Sequence, residues 1–265
     1  MSLDLFLRTG APPRPRARGR RDRGSIARLP GAIARQFVYE HLVLARRGVR
    51  FRSRDEQTVC DAYAAMSTDE FEAINARQSW ANWRTIPRNL RGRLPRPPLV
   101  AVDLCCGAGD STEVLAACLP AGSWILGLDA SPALVQAATG RRYVGADGSA
   151  CRIAFRTQSV LETFRRPDGR PIGEGEVDLV NSVGAVGSHF DASATKLLMI
   201  EVRRVLRPEG IALIDAGPGG TSPRELEGIV ETLGLEVCDR ARSCALDRYW
   251  QYCLREAARV TRART

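Results

Sequence analysis

Two aspartates at the ends of apolar runs, separated by a glycine loop, are the residues whose types and spacing could do chemistry in this chain. The first sits in Val100-Ala101-Val102-Asp103-Leu104-Cys105-Cys106-Gly107-Ala108-Gly109-Asp110-Ser111. The apolar run carries Asp103 to a strand end, Gly107 and Gly109 allow a tight turn and close approach of backbone to a ligand, and a helix with unpaired N–H groups follows. The second is Asp129, which follows Leu126-Gly127-Leu128 about 20 residues past the loop, where a strand-tip carboxylate can accept both hydroxyls of a ribose. Its plainer use is in the turn that opens the Ser131-Pro132 helix, and the pairing with the glycine loop favours ribose. A dinucleotide fingerprint needs a third glycine where Thr112 stands, which argues against a nicotinamide cofactor.

His189 follows the fourth apolar run and is the candidate general base for an oxygen or activated-carbon acceptor. Packing at the start of the helix that Asp191 opens is an equal alternative. Cys105 and Cys106 are adjacent, with no base beside either, and read as small packing residues between loop and sheet. The eight cysteines contain no C-x-x-C pair and the chain holds two histidines, so reduced thiols, a cytoplasmic location and no metal site are expected.

These residues need a scaffold, and the pattern supplies one. Strands are predicted at Leu99–Leu104, Trp124–Leu128, Arg152–Arg156, Val177–Asn181 and Gly210–Asp215, with helices between them; this alternation implies parallel pairing and a ligand beyond the carboxyl ends. Ser222-Pro223-Arg224-Glu225 opens the last helix with a capping box. Two further strands, Leu235–Ala245 and Arg248–Leu254, leave no room for a helix and must form a hairpin turning near Leu246-Asp247. Upstream, Ile33, Phe37, Val38 and Leu42 recur at helical spacing as far as Gly48. Ser53-Arg54-Asp55-Glu56 and Ser67-Thr68-Asp69-Glu70 have capping-box spacing, and Pro87 to Pro98 reads as a break before the main domain.

Of the net charge of +9, six charges lie in residues 1–30, where eight arginines face Asp4 and Asp22. The division expected is a basic leader without structure (1–30), a helical lid or acceptor-recognition region (31–97) and a ligand-binding domain (98–265). The leader could grip phosphate or anionic lipid, but Lys196 is the sole lysine, and bias toward arginine explains much of the charge. No apolar run approaches the roughly 20 residues that span a bilayer.

Taken in order, DLCCGAGDS, GLDASP, VDLVNSVGAVGSH, RRVLRPEG and the closing hairpin resemble the class I S-adenosylmethionine-dependent methyltransferases over about residues 98–254. The resemblance is to the small-molecule branch that includes the ubiquinone and menaquinone C-methyltransferases. It implies a Rossmann-like α/β sheet of seven strands with the seventh antiparallel, and S-adenosyl-L-methionine as cofactor. It also implies that Asp103 and the backbone at Cys105, Gly107 and Gly109 cradle the methionine part, Asp129 holds the ribose and Ala130 lines the adenine. Where the family often carries an acid after the third strand, this chain has Gln158-Ser159; Asn181 and Ser182 fall at the catalytic mouth. The implied acceptor is a small, partly aromatic or apolar molecule, roofed by the N-terminal helices with Tyr39, His41, Tyr63, Phe71, Trp80 and Trp83; a homodimer interface is the competing use of those aromatics. The charge keeps a nucleic-acid acceptor open. Against it, the fourth strand ends in Asn181-Ser182-Val183-Gly184 in place of the Asn/Asp-Pro-Pro-aromatic element that grips a flipped base. A binding module without catalysis is the third reading.

Overall fold

The computed structural model describes residues 23–95, 97–148 and 151–257. One seven-stranded sheet runs in the order β3-β2-β1-β4-β5-β7-β6. Its strands are β1 (Val100–Leu104), β2 (Trp124–Asp129), β3 (Arg152–Thr157), β4 (Val177–Ser182), β5 (Leu206–Ala216), β6 (Leu235–Ala241) and β7 (Trp250–Glu256). The first five pair in parallel, and β7 enters antiparallel between β5 and β6. β1 lies between β2 and β4, so the winding reverses beside it and a crevice opens beyond the strand ends.

Burial on both faces explains the apolar runs. Val102, Leu104, Leu126, Leu128 and Val180 point into one cluster, and Ala101, Ile125, Leu179 and Leu213 into the other. Following the N-terminal helix α1 (Leu29–Val38), the segment above the sheet contains α2 (Glu56–Ala64), α3 (Thr68–Ile74) and α4 (Ala76–Leu90). The sheet is covered by α5 (Asp110–Cys118), α6 (Pro132–Thr139), α8 (Ala192–Val205) and α9 (Pro223–Thr232), with the single turn α7 (Val186–His189) after β4. The capping boxes at Ser67 and Ser222 form as expected.

Several expectations are corrected. The basic leader's residues 1–22 lie outside the described residues, but residues 23–30 are already structured ahead of Gly31. Trp80 Nε1 donates to Ser25 O at 2.8 Å and Arg84 Nη1 to Gly24 O at 2.7 Å, anchoring that segment on α4. Pro87 lies inside α4 and does not break it; Ile86, Asn89 and Leu90 are buried around it, so packing outweighs the lost backbone bond. α1 passes into a π-helical stretch, Tyr39–Leu44, whose buried residues are Glu40 and Leu44. Ile33, Phe37, Val38 and Leu42, whose helical spacing marks an apolar face, are exposed. The cap of α2 is Asp55, which accepts from Thr58 N, and Ser53 is not part of the helix. β5 begins at Leu206 because Leu206 pairs with Val177, and β6 ends at Ala241, leaving a longer connection to β7. Among the described residues, no helix is long and apolar enough to cross a membrane.

Candidate functional site

The loop between β1 and α5 is held from beneath. Asp103 is fully buried and accepts from Thr112 Oγ1 (2.6 Å), Ser111 Oγ (2.8 Å) and Asn181 Nδ2 (2.7 Å), locking α5 and β4 to β1. Burial pushes its carboxyl up to about 6 against those three bonds. Thr112, which breaks the dinucleotide pattern, thus has a use of its own. Cys105 and Gly107 take left-handed φ values of 52° and 54°, which turn the backbone into the crevice. At Gly109 (φ 91°) a Cβ would collide with the Tyr143 hydroxyl, so this glycine serves packing behind the loop.

Beyond the strand ends lies a cleft of about 870 Å³, counting its open mouth, lined by Cys105, Gly107, Asp129, Ala130, Glu56, Tyr63 and Phe71 among others. Its size and mostly apolar wall suit a nucleoside-sized ligand. The Asp129 carboxylate accepts from Gly107 N at 2.8 Å and Ser131 N at 2.9 Å. Each oxygen retains a second lone pair for a hydroxyl donor. Burial raises this carboxyl to about 6, the two N–H bonds oppose that, and the charge of Glu56 adds to it.

A second, more polar chamber of about 990 Å³, counting its open mouth, adjoins the cleft and shares Ser53, Arg54, Tyr63, Asn75, Gln78, Gly184 and His189 with it. His189 Nδ1 lies 3.0 Å from Ser53 O. A carbonyl only accepts, so Nδ1 carries the proton and Nε2 presents its lone pair, 3.4 Å from the Tyr63 hydroxyl. Burial lowers the imidazole pKa below its ordinary 6.5, with Arg52 adding to the effect and the Ser53 bond opposing it, so the ring is neutral near pH 7. The turn that carries His189 is capped by buried Asp215, which accepts from Gly187 N at 3.0 Å.

Residues 101–210 match the family model of a methyltransferase domain. The uncharacterized methyltransferase sll0829 of Synechocystis sp. is 36% identical over 120 residues, 45% of this chain and 48% of that protein. This chain therefore matches about half the length of that relative. Among solved structures, a SAM-dependent methyltransferase of Leishmania major has the same fold at a TM-score of 0.57 and 11% identity, over 82% of this chain and 91% of its own. Magnesium protoporphyrin IX methyltransferase from Synechocystis PCC 6803, with bound SAM, aligns at a TM-score of 0.50 and 15% identity, over 84% and 93%. The antiparallel β7 and the glycine loop agree with these matches. Residues 101–210 therefore form a methyltransferase domain, and the sheet with its antiparallel β7 has the class I methyltransferase fold.

Within this methyltransferase domain, Cys105, Gly107, Asp129, Ala130 and His189 line the cleft. Asp103, Gly109, Asn181 and Ser182 do not; they fix the loop and strand ends from below. Among the described residues, Asn181 Oδ1, Ser182 Oγ and Asp215 Oδ1 are buried and find no hydrogen-bond partner. Gln158 is spent on the turn after β3, donating to Thr163 O and accepting from Arg165 N. Ser159 donates to Glu56 Oε2 at 2.7 Å. Burial raises the thiols of Cys105 and Cys106 well above their ordinary range, which fits packing and not nucleophilic use. Of the expected lid aromatics, Tyr63 and Phe71 line the cleft, whereas Trp80 and Trp83 pack at the back of α4 and His41 stacks on Phe37. Sequence reading missed Glu56, Asn75 and Gln78 as lining residues; Glu56 was visible only as a helix-start residue.

Proposed function

We propose that this domain transfers the methyl group of S-adenosyl-L-methionine to a small-molecule acceptor, with oxygen or carbon ahead of nitrogen as the methylated atom. The observation that carries the reading is His189: a neutral imidazole on the wall between two chambers, its tautomer set by Ser53 O, with the Nε2 lone pair engaged only by a long 3.4 Å contact from the Tyr63 hydroxyl that an acceptor's proton can displace. Such a group removes a proton from a hydroxyl or an activated carbon as it attacks. When bound, the cofactor supplies an electrophilic sulfonium methyl.

Asp129 would accept the ribose hydroxyls and Ala130 would line the base. Glu56, from the lid, would provide the carboxylate that Gln158 does not. α2 and α3 exclude water, and Tyr63 orients the imidazole edge. A cytoplasmic location fits the unpaired cysteines. The small second chamber favours a metabolite over a nucleic acid, and the exposed face of α1 leaves room for a homodimer contact.

Calorimetric titration with S-adenosylhomocysteine and with NAD tests the cofactor, and release of S-adenosylhomocysteine from a metabolite panel tests transfer. Binding of NAD in preference to S-adenosylhomocysteine overturns the reading.

A further inference from the structure

The chamber beside the cofactor cleft has an imbalance of charge. Its lining contains Arg52, Arg54 and Arg77 but one carboxylate, Glu40. Glu40 is nine-tenths buried and already paired with Arg52, and it also accepts from Gln36 Nε2. Arg54 and Arg77 have no ion pair among the described residues. Arg77 also donates no hydrogen bond there; its described contact is the face of Tyr249, with Cζ 5.5 Å from the ring centroid. That contact holds a guanidinium by the ring quadrupole and leaves its N–H fork unspent. Arg77 is half-buried, so its charge is partly removed from water without a counter-charge.

We infer that the methyl acceptor carries an acidic group, a carboxylate or phosphate, which Arg77 holds in this chamber while the atom to be methylated sits at His189. The inference rests on the methyltransferase reading and narrows its acceptor. A cationic acceptor would meet like charge at Arg54 and Arg77, and a neutral one would leave the fork unpaired. A planar two-oxygen anion matches the fork with two parallel bonds. Arg54 lines both cavities, whereas Arg77 lines the second chamber alone, which assigns Arg77 to the acceptor and not to the cofactor's own carboxylate.

A deproteinised small-molecule extract can supply the acceptor for the test. The full chain is incubated with this extract and methyl-labelled S-adenosylmethionine, and labelled products are passed over a strong anion exchanger at pH 8. Retention of the label is expected, since the acidic group lies away from the transferred methyl. Arg77→Ala should raise KM for the retained acceptor about tenfold to a hundredfold, with kcat and the S-adenosylhomocysteine Kd unchanged, and Arg77→Lys should restore part of it. Label in the flow-through, no labelled small molecule despite cofactor binding, or unchanged KM in Arg77→Ala would each overturn the inference. A Kd for S-adenosylhomocysteine that rises with Arg77→Ala would also overturn it, reassigning the arginine to the cofactor. Failure of the wild type to bind S-adenosylhomocysteine would instead sink the methyltransferase reading beneath it.

Discussion

Replacing Asp129 with asparagine separates its two uses. Its carboxylate clamps Gly107 N and Ser131 N, at 2.8 and 2.9 Å, and offers its remaining lone pairs to ribose. Asparagine keeps one oxygen, and its NH₂ must face one of those backbone N–H groups, leaving a buried donor unpaired. That loss should cost about 1–3 kcal/mol of stability, a fall of several degrees in Tm. On the ligand side one charge-assisted bond disappears and the other loses its charge. A loss of about 1.5–3 kcal/mol raises Kd for S-adenosylhomocysteine about tenfold to a hundredfold. Calorimetry with adenosine and 2′,3′-dideoxyadenosine completes the cycle. Removing the hydroxyls should weaken binding to the wild type strongly and to the variant by no more than about threefold, because groups in direct contact are not additive. A folded variant with unchanged Kd, or strictly additive losses, would refute the ribose role and leave Asp129 as a clamp on the loop.

His189→Gln should lower kcat on the order of 10²–10⁴-fold and leave cofactor affinity unchanged. The wild-type rate should fall as pH drops through a value below 6.5, since the base must be neutral and burial holds its pKa down, and the variant should lack that limb. Asp103, Asp129 and Asp215 sit at about 6 in the fold against 3.8 when unperturbed. The folded chain therefore binds more protons between about pH 4.5 and 6, and Tm should decline as pH rises through that window and level off above 7; a rising Tm there would contradict it. Deletion up to Leu29 should lower Tm relative to deletion up to Arg23, because it strips the acceptors of Trp80 Nε1 and Arg84 Nη1; equal Tm values would show those bonds to be idle.

The sheet was legible because its central strands are buried on both faces, which writes near-continuous apolar runs such as Val100–Leu104, interrupted by Asp103, into the chain. The hairpin that makes β7 antiparallel followed from a connection too short for a helix. Errors gathered where tertiary contact overrides local preference. Pro87 forbids one backbone bond, yet burial of Ile86 and Leu90 carries α4 past it. The segment 23–30 has no apolar period, yet two carbonyl acceptors fasten it to α4. α1 has a helical apolar period, yet Phe37 and Val38 stay exposed, because periodicity marks a face without saying what covers it.

The same limit divides the site. Gly107, Asp129 and His189 were legible because loop and strand tips lie at positions fixed by topology. Glu56 was not, because it comes from a helix whose approach to the sheet no local pattern encodes. A small error in a helix start shows how far this reaches. With Ser53 as cap, its carbonyl would accept from the first turn of α2 and be spent. The true cap is Asp55, whose carbonyl takes Val59 N, so Ser53 O is left outside the helix to accept the Nδ1 proton of His189. The cap position of a lid helix thus fixes the tautomer of the imidazole across the cleft, and with it which ring nitrogen can act as the base.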